Sequence, residues 1–359
     1  MNATFWNKIA LFLITLAFGL VVYSVASEKI PFFQGTSTAP VELSEKKEDG
    51  SFFFTASGDF GGNSETQKVL QQINPKFSKS SFHLALGDLS YDQITPESAW
   101  CDFVKENVSG DFPFMLLSGN HEDNGPNGDI DEFVKCLPSK IEGVVGEYGK
   151  QYYFDYPKES PIARFILISP NLDFGDGVQN FTEGSEEYTW LSDVINKSRM
   201  EVKWVIVAMH KPCITVGVKE CESGADLTNL LLEKRVDLVL MGHDHNYQRT
   251  KQLYKDNTCV EASSSLDCVR FYEDDQGDTY YKGFGRIFLT AGTSGAGLYK
   301  IFPGDSEMGY FAKAAGFGSG LGHGFVRIEV SELDLTSEYV DVTGTFADTF
   351  RLSRSIPFD

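Results

Sequence analysis

The segment that most constrains the fold is Val236-Asp-Leu-Val-Leu-Met-Gly-His-Asp-His245, in which a short apolar run stops at a glycine. The run is rich in Val and Leu and bounded by charge and glycine, which is typical of a buried strand. Gly242 lets the backbone turn sharply. His243 and His245 are two positions apart, so both imidazoles can point into one space. The segment indicates a metal site at a strand end; a pair of exposed loop histidines is the alternative.

Similar apolar runs recur along the chain, each followed by a glycine or polar turn and often by a helical pattern. They predict strands over 52–57, 82–86, 112–117, 164–168, 203–208, 236–241, 286–291 and 325–330. Helices are predicted over 64–73, 96–106, 185–197 and 226–234. Ser64 and Gln67 are placed as a capping box, and Pro96 in a first helical turn. Strands that alternate with helices predict an α/β sheet system.

Five of these predicted strands are followed by a residue that can bind a metal ion. In open α/β sheets, ligands bind beyond the carboxyl ends of the strands, so these residues are expected to lie together. The candidates are Asp59, Asp88, Tyr91, Asn120, His210, His243 and His245. Such donors suit iron, manganese or zinc better than calcium. Their number is sufficient for two metals that share a bridging carboxylate.

Five motifs contain these candidates. They are Gly58-Asp59, Gly87-Asp88-Leu-Ser-Tyr91, Gly119-Asn120-His121-Glu122, Ala208-Met-His210 and Gly242-His243-Asp-His245. In order and spacing they resemble the five signature blocks of the calcineurin-like metallophosphoesterases, over most of residues 52–250. The resemblance implies a β-sandwich of two mixed sheets flanked by helices, with a dimetal site at the carboxyl ends of the strands.

Two positions narrow the resemblance to the purple acid phosphatases. Most of the superfamily has a histidine two residues after the first aspartate, where this chain has Gly61. Purple acid phosphatases lack that histidine and have a tyrosine ligand three residues after the second aspartate, where this chain has Tyr91. The sequence shows no counterpart of the N-terminal sandwich domain of the large plant enzymes, so it resembles the short, single-domain type.

The resemblance also implies a role for each candidate ligand. A ferric ion would be bound by Asp59, Asp88, Tyr91 and His245. A divalent iron, zinc or manganese ion would be bound by Asp88, Asn120, His210 and His243. Asp88 would bridge the two ions, and Tyr91 would bind as a phenolate.

Two further histidines are candidates for contact with substrate. In the family, the residue that corresponds to His121 contacts the substrate phosphate and assists the leaving group. His323 lies in a glycine-rich stretch, 316–324, that either bends over the site or is a plain flexible loop. Plant and animal members have another histidine soon after the one that corresponds to His210; here the cations offered are Lys211 and Lys219.

The resemblance therefore implies a dimetal-dependent phosphomonoester hydrolase, in which a hydroxide that bridges the metals would attack phosphorus. A phosphodiesterase or nucleotidase on the same metal core is the alternative, and a non-catalytic surface protein is a remote one. The net charge of −20 argues against a general nucleic-acid-binding surface.

The location is expected to be outside the cytoplasm. Residues 9–26 form an uncharged, mostly apolar run preceded by Lys8, so residues 1–27 are either a membrane anchor or a cleaved signal peptide. Residues 28–50 follow as a linker or tail, and 51–359 as one catalytic domain. Six cysteines can pair in fifteen ways. Pairing of neighbours in sequence would give three local disulfides, Cys101–Cys136, Cys213–Cys221 and Cys259–Cys268, which suit an oxidising compartment.

Overall fold

The structure is a computed structural model that describes residues 50–123, 127–175, 177–234, 236–259, 266–272 and 278–355. The expected anchor or signal segment, 1–27, and all of the expected linker except Gly50 lie outside the described residues. Within the described ranges, no helix is both long and apolar enough to cross a bilayer.

Strands and helices alternate in the first two thirds of the chain, and strands dominate the rest. The helices are α1 Ser64–Ile73, α2 Pro75–Ser78, α3 Glu97–Val108, α4 Ile130–Cys136, α5 Glu186–Glu201 and α6 Ala225–Lys234, with a 3-10 helix at Ser306–Tyr310. The first strands are β1 Phe52–Ser57, β2 Phe82–Leu86, β3 Phe114–Leu117, β4 Val145–Glu147, β5 Gln151–Tyr156, β6 Ala163–Leu167, β7 Trp204–Ala208 and β8 Leu238–Met241. The later strands are β9 Tyr247–Thr250, β10 Gln252–Lys255, β11 Val269–Tyr272, β12 Thr279–Tyr281, β13 Ile287–Ala291, β14 Phe311–Ala315, β15 Gly324–Val330, β16 Asp334–Asp341 and β17 Thr349–Ser353.

Two large mixed sheets are formed by the described strands. The first has the order β12-β17-β16-β15-β1-β2-β3, and the second has the order β14-β9-β13-β8-β7-β6-β5-β4. In the first sheet β1, β2 and β3 are parallel neighbours, as are β6, β7 and β8 in the second. The candidate ligands therefore follow the carboxyl ends of parallel strands from both sheets.

Alternating side chains build a layered core. Phe54 of β1 contacts Phe165 of β6 edge to face, with ring centroids 5.0 Å apart, so these faces of the two sheets pack against each other. On β7, Ile206 belongs to this central core, whereas its neighbours Val205 and Val207 pack with α5 and α6. Helices α1, α3 and α4 cover the outer face of the first sheet. The predicted sandwich of two mixed sheets flanked by helices is confirmed.

Every predicted strand and helix is present, and most ends agree within two residues. The predicted strand 112–117 begins at Phe114 instead, after Pro113, which has no N–H for a ladder bond. The capping box was wrong: Asn63, not Ser64, is the N-cap of α1. Its side-chain oxygen accepts hydrogen bonds from the backbone N–H groups of Glu65 and Thr66 at 2.9 and 3.0 Å. Asn is as good an N-cap as Ser.

The three predicted disulfides are confirmed. Cys101–Cys136 joins α3 to the end of α4, and Cys259–Cys268 closes the connection between β10 and β11. Cys213–Cys221 closes the loop between β7 and α6, which lies beside the candidate site.

Candidate metal centre

The loops that follow the strands bring the candidate ligands into one place by direct contacts between the two sheets. The backbone N–H of His243, after β8, donates to Asp59 Oδ2, after β1, at 2.9 Å. The Nδ1 atom of His210, after β7, lies 2.7 Å from the carbonyl oxygen of Leu86, the last residue of β2. These contacts join ligand-bearing loops from different sheets.

Close approach of these loops requires glycine at two positions. Gly87 has φ +87°, and a Cβ atom there would lie 2.6 Å from His210 Nδ1. A Cβ atom on Gly119 would overlap the Asp88 carboxylate. The motif glycines therefore make room for the side chains of the site.

The first group of candidate ligands surrounds the Tyr91 hydroxyl. This oxygen lies 2.8 Å from Asp88 Oδ2, 3.0 Å from Asp59 Oδ1 and 3.0 Å from His245 Nε2. His245 Nε2 is also 3.2 Å from Asp59 Oδ1. Asp59, Asp88 and His245 offer ligand atoms within 4.8 Å of one another, and all three are buried.

The second group shares Asp88 with the first. His210 Nε2 lies 3.2 Å from Asp88 Oδ1 and 3.1 Å from His243 Nδ1, and the three ligand atoms are within 4.8 Å of one another. Among the described residues, the buried Asn120 Oδ1 atom has no hydrogen-bond partner. A buried amide oxygen without a partner costs free energy, which a bound cation would offset.

The histidine tautomers are set by contacts on the far side of each ring. His210 Nδ1 must donate to the carbonyl of Leu86, and His245 Nδ1 must donate to the carbonyl of Gly297 at 2.9 Å. In the neutral rings, each Nε2 atom then presents a lone pair to a carboxylate. An imidazole lone pair and a carboxylate oxygen repel each other unless a proton or a cation lies between them. This set of donor atoms therefore fits metal ions.

The shifted pKa values of His210 and Tyr91 indicate the same demand for positive charge. Burial lowers the pKa of His210, but the carboxylates of Asp88 and Asp59 outweigh that effect and raise it to about 9. Burial, with the charges of Asp59 and Asp88, raises the pKa of Tyr91 well above its usual value. Without metal the phenol therefore keeps its proton, and a cation in this group would replace that proton.

His121 lies beside the ligand groups rather than within them. Its backbone N–H donates to Asp88 Oδ1 at 3.1 Å, and its Nε2 atom is 3.8 Å from Asp88 Oδ2. The ring stacks obliquely on Tyr91, with centroids 4.2 Å apart, and 26% of the side chain is exposed. The imidazole therefore stands between the ligands and the solvent.

His323 makes contacts with a different part of the structure. Its Nε2 atom lies 3.0 Å from the carbonyl oxygen of Ala296, and its Nδ1 atom is 3.9 Å from Glu65 Oε2. Ala296 precedes Gly297, whose carbonyl holds His245, so His323 is linked to the site through this loop. Contact between His323 and a substrate stays a prediction.

Two glutamates that the sequence reasoning did not assign belong to the site. Glu122 is buried and accepts hydrogen bonds from the backbone N–H groups of Asp88, Leu89 and Gly119 at 2.9, 2.6 and 2.9 Å. It thereby braces the loop after β2 against the loop after β3. Glu122 is the last residue of one of the five motifs, so the sequence already indicated that it lies near the site.

The second glutamate, Glu222, lies outside the five motifs, so nothing in the sequence indicated its place in the site. Its Oε2 atom lies 2.9 Å from His243 Nε2 and 4.0 Å from Lys211 Nζ. Lys211 Nζ also donates to the carbonyl oxygen of Asn171 at 3.1 Å. Lys211 is one of the two lysines found where plant and animal purple acid phosphatases have a further histidine. Its ammonium group contacts Glu222 and Asn171 at the edge of the site.

Comparisons with known sequences agree with this geometry. Purple acid phosphatase 18 of Arabidopsis thaliana is 28% identical over 207 residues, which cover 56% of this chain and 45% of the relative. A nucleotide pyrophosphatase/phosphodiesterase of Hordeum vulgare is 27% identical over 277 residues, which cover 72% of this chain and 67% of the relative. The chain spans about half the length of the purple acid phosphatases it matches.

Solved structures share the fold. The purple acid phosphatase PPD1 from yellow lupin seeds superposes with a TM-score of 0.63 at 20% identity, covering 85% of this chain and 54% of that protein. The Plasmodium inner-membrane-complex anchor GAP50 gives a TM-score of 0.53 at 16% identity, covering 85% and 91%.

A family model settles the classification. The model described as calcineurin-like phosphoesterase matches residues 54–247, which is more than half of the 359-residue chain and includes all seven candidate ligands. The resemblance inferred from the motifs is confirmed, and the relatives extend it to the purple acid phosphatases. This chain belongs to the calcineurin-like phosphoesterase family.

Proposed function

We propose that this protein is a dimetal-dependent phosphomonoester hydrolase of the purple acid phosphatase type that acts outside the cytoplasm. The position of Asp88 carries the proposal. One of its carboxylate oxygens faces His210 at 3.2 Å, and the other faces Tyr91 at 2.8 Å. A single carboxylate that belongs to two buried ligand groups is what two neighbouring cations need in order to share a ligand.

The two groups differ in charge, which suggests different metals. Asp59, Asp88 and a deprotonated Tyr91 would supply three anionic oxygens, enough to offset a ferric ion, with His245 as a nitrogen donor. The second group supplies the same Asp88 with two imidazoles and the neutral amide of Asn120. That set suits a divalent iron, zinc or manganese ion.

The chemistry divides between the metals and the protein. Bound together, two cations would attract an anionic phosphate and lower the pKa of water enough for it to attack phosphorus. His121 stands at the solvent side of the ligands, where its Nε2 atom can reach a substrate oxygen. It would donate a hydrogen bond or a proton to the leaving group.

A second activity, hydrolysis of phosphodiesters or nucleotides, is supported by one comparison. The barley pyrophosphatase/phosphodiesterase aligns with 72% of this chain, against 56% for Arabidopsis purple acid phosphatase 18. The same metal groups would serve either substrate. The choice depends on the loops around His121 and Glu222.

The proposed location rests on the disulfides and on the N-terminal sequence. Three disulfides join the cysteines in the described part of the chain, and such bonds persist in oxidising compartments. The apolar run at 9–26 would serve as an anchor or as a signal for export.

Paired aryl phosphates test the activity. The full chain, purified with its disulfides intact and loaded with iron and zinc, would be assayed with a phosphate monoester and the corresponding diester. We expect kcat/KM for the monoester to exceed that for the diester by at least about tenfold, or about 1.4 kcal/mol. The chelator-treated protein is the control. Preference for the diester would favour the second activity, and turnover of neither would contradict both.

A further inference from the structure

The loop between β7 and α6 places a carboxylate against one of the proposed ligands. The Cys213–Cys221 disulfide closes this loop immediately before Glu222. The Glu222 backbone is fixed on both sides, because its N–H donates to the carbonyl oxygen of Pro212 at 3.0 Å and its own carbonyl accepts from Asn171 Nδ2 at 2.7 Å. The side chain therefore starts from a well-defined point.

That side chain meets the outer edge of His243. Glu222 Oε2 lies 2.9 Å from His243 Nε2, while His243 Nδ1 faces His210 Nε2 at 3.1 Å. A carboxylate at this distance favours a proton on Nε2. Nδ1 is then left with the lone pair that a metal requires.

The remaining contacts of His243 hold its backbone but do not select the tautomer. Its N–H donates to Asp59 Oδ2 at 2.9 Å, and its φ is +67°. For His210 and His245, backbone carbonyls select the tautomer instead. In the second group, the tautomer of His243 therefore depends on a side chain from a disulfide-closed loop. The tautomers of the other two histidines depend on the main chain.

We propose that Glu222 is a positioning residue that fixes the metal-binding tautomer of His243 and so sets the affinity of the second group for its divalent ion. The Cys213–Cys221 disulfide keeps Glu222 in place. Lys211, 4.0 Å from the same carboxylate oxygen, adds a positive charge that keeps it oriented. The inference rests on the proposed two-metal function.

Zinc titration of the full chain tests the proposal directly. After the ferric ion is loaded, zinc binding would be followed by calorimetry for wild type, Glu222→Ala, Glu222→Gln and the control Glu220→Gln, which alters an exposed glutamate of the same loop. We expect Glu222→Ala to weaken zinc binding by about 10 to 100-fold. Glu222→Gln should lose less, because its amide oxygen can occupy the same place beside His243 Nε2, and Glu220→Gln should bind as wild type does.

Two readouts separate positioning from general damage. The iron content and the thermal midpoint of Glu222→Ala should match wild type, and saturating zinc should restore most of kcat. Equal zinc affinity in wild type and Glu222→Ala would overturn the proposal. So would loss of iron and zinc together, because it would indicate collapse of the whole site.

A double variant tests the part of the disulfide. Cys213→Ser with Cys221→Ser should weaken zinc binding as Glu222→Ala does, whereas Cys259→Ser with Cys268→Ser, which opens the β10–β11 connection, should not. Unchanged zinc affinity in the first double variant would remove the disulfide from the account. Zinc binding is measured without substrate, so a wild-type chain that binds both metals and hydrolyses no ester would contradict the proposed function alone.

Discussion

At the scale of single residues, four of the proposed ligands have backbone conformations that most side chains avoid. Asp59, Asp88, Tyr91 and His243 have φ values of +64°, +54°, +50° and +67°. Such left-handed positions cost on the order of 1–3 kcal/mol each for residues other than glycine, and they concentrate at functional sites. The four residues share the buried ligand groups, so part of the backbone strain lies where the proposed chemistry is; Lys79, Asp92, Ser109, Asn171 and Asp278 carry positive φ values outside the ligand groups.

Tyr91 provides a spectroscopic prediction. A phenolate bound to ferric iron gives a visible charge-transfer band, so Tyr91→Phe should abolish the colour of the iron-loaded protein. The control is Tyr299→Phe, because the Tyr299 ring stacks on His245 with centroids 4.1 Å apart and remains in the variant. Retention of the band in Tyr91→Phe, measured by absorption spectroscopy at equal iron content, would show that Tyr91 is not a ligand.

His121 provides a kinetic prediction. Since its ring lies outside both ligand groups, His121→Asn should keep both metals and lower kcat by roughly 10² to 10⁴-fold, the range of general acid-base catalysis. Metal analysis and steady-state kinetics on one preparation would check both parts. Loss of a metal would make His121 a ligand, and an unchanged kcat would remove it from the mechanism.

At the scale of elements, a buried ion pair joins the two sheets. Arg249 of β9, in the second sheet, donates through Nε and Nη2 to the carboxylate of Asp348, just before β17 in the first, at 2.6 and 2.9 Å. Neither side chain is more than 1% exposed. Tyr247 also donates to Asp348 Oδ2 at 2.7 Å.

Removal of Asp348 should therefore destabilise the sandwich. Asp348→Ala leaves the Arg249 charge buried with its main partner lost, so we expect the free energy of unfolding to fall by about 3–5 kcal/mol. Asp334→Ala is the control: it breaks the exposed Arg351–Asp334 pair and should cost at most about 1 kcal/mol. Urea denaturation of both variants would measure the difference, and equal losses would contradict the structural role.

A second element-scale prediction concerns acid stability. His83 of β2 is buried, stacks on Phe114 and lies with Nδ1 2.9 Å from the Thr55 hydroxyl. Burial lowers the pKa of His83 to about 3. In the unfolded chain the pKa of this histidine is about 6.5. Its contribution to the free energy of unfolding is therefore complete above pH 6.5 and is lost as the pH falls toward 3, because in this range the unfolded chain takes up the proton and the folded protein does not.

His83→Phe keeps an aromatic ring and removes this titration. Below pH 6.5, wild-type stability should fall faster than that of the variant, by up to about 1.4 kcal/mol per pH unit. Urea denaturation at several pH values would give both slopes, and the difference at pH 7.5 would report the packing change alone. Parallel pH profiles would contradict the argument.

The sequence was informative about elements where apolar runs end in glycine, and less so elsewhere. β8 and its histidines followed from such a run. β9, Tyr247-Gln-Arg-Thr250, was not predicted because its buried residues are mostly polar and are satisfied by side-chain pairing that local patterns do not show. β16 alternates buried and partly exposed residues, a readable pattern that the prediction passed over.

At the scale of the whole molecule, the site exists because two sheets end at the same place. The proposed ligands after β1, β2 and β3 come from the first sheet, and those after β7 and β8 come from the second. The motifs predicted which residues would meet, and the positions of the strand ends predicted roughly where. Glu222 could not be predicted, because its contact with His243 depends on the path of a disulfide-closed loop.

Metal stoichiometry tests the central claim, that Asp88 holds two metals in one site, most directly. Elemental analysis of the full chain, reconstituted with iron and zinc and freed of excess, should give two ions per chain for wild type. Asp88→Ala should retain neither ion and hydrolyse no aryl phosphate, while the control Asp92→Asn, at an exposed position of the same loop, should match wild type. An Asp88→Ala protein that kept two ions and full activity would contradict the account.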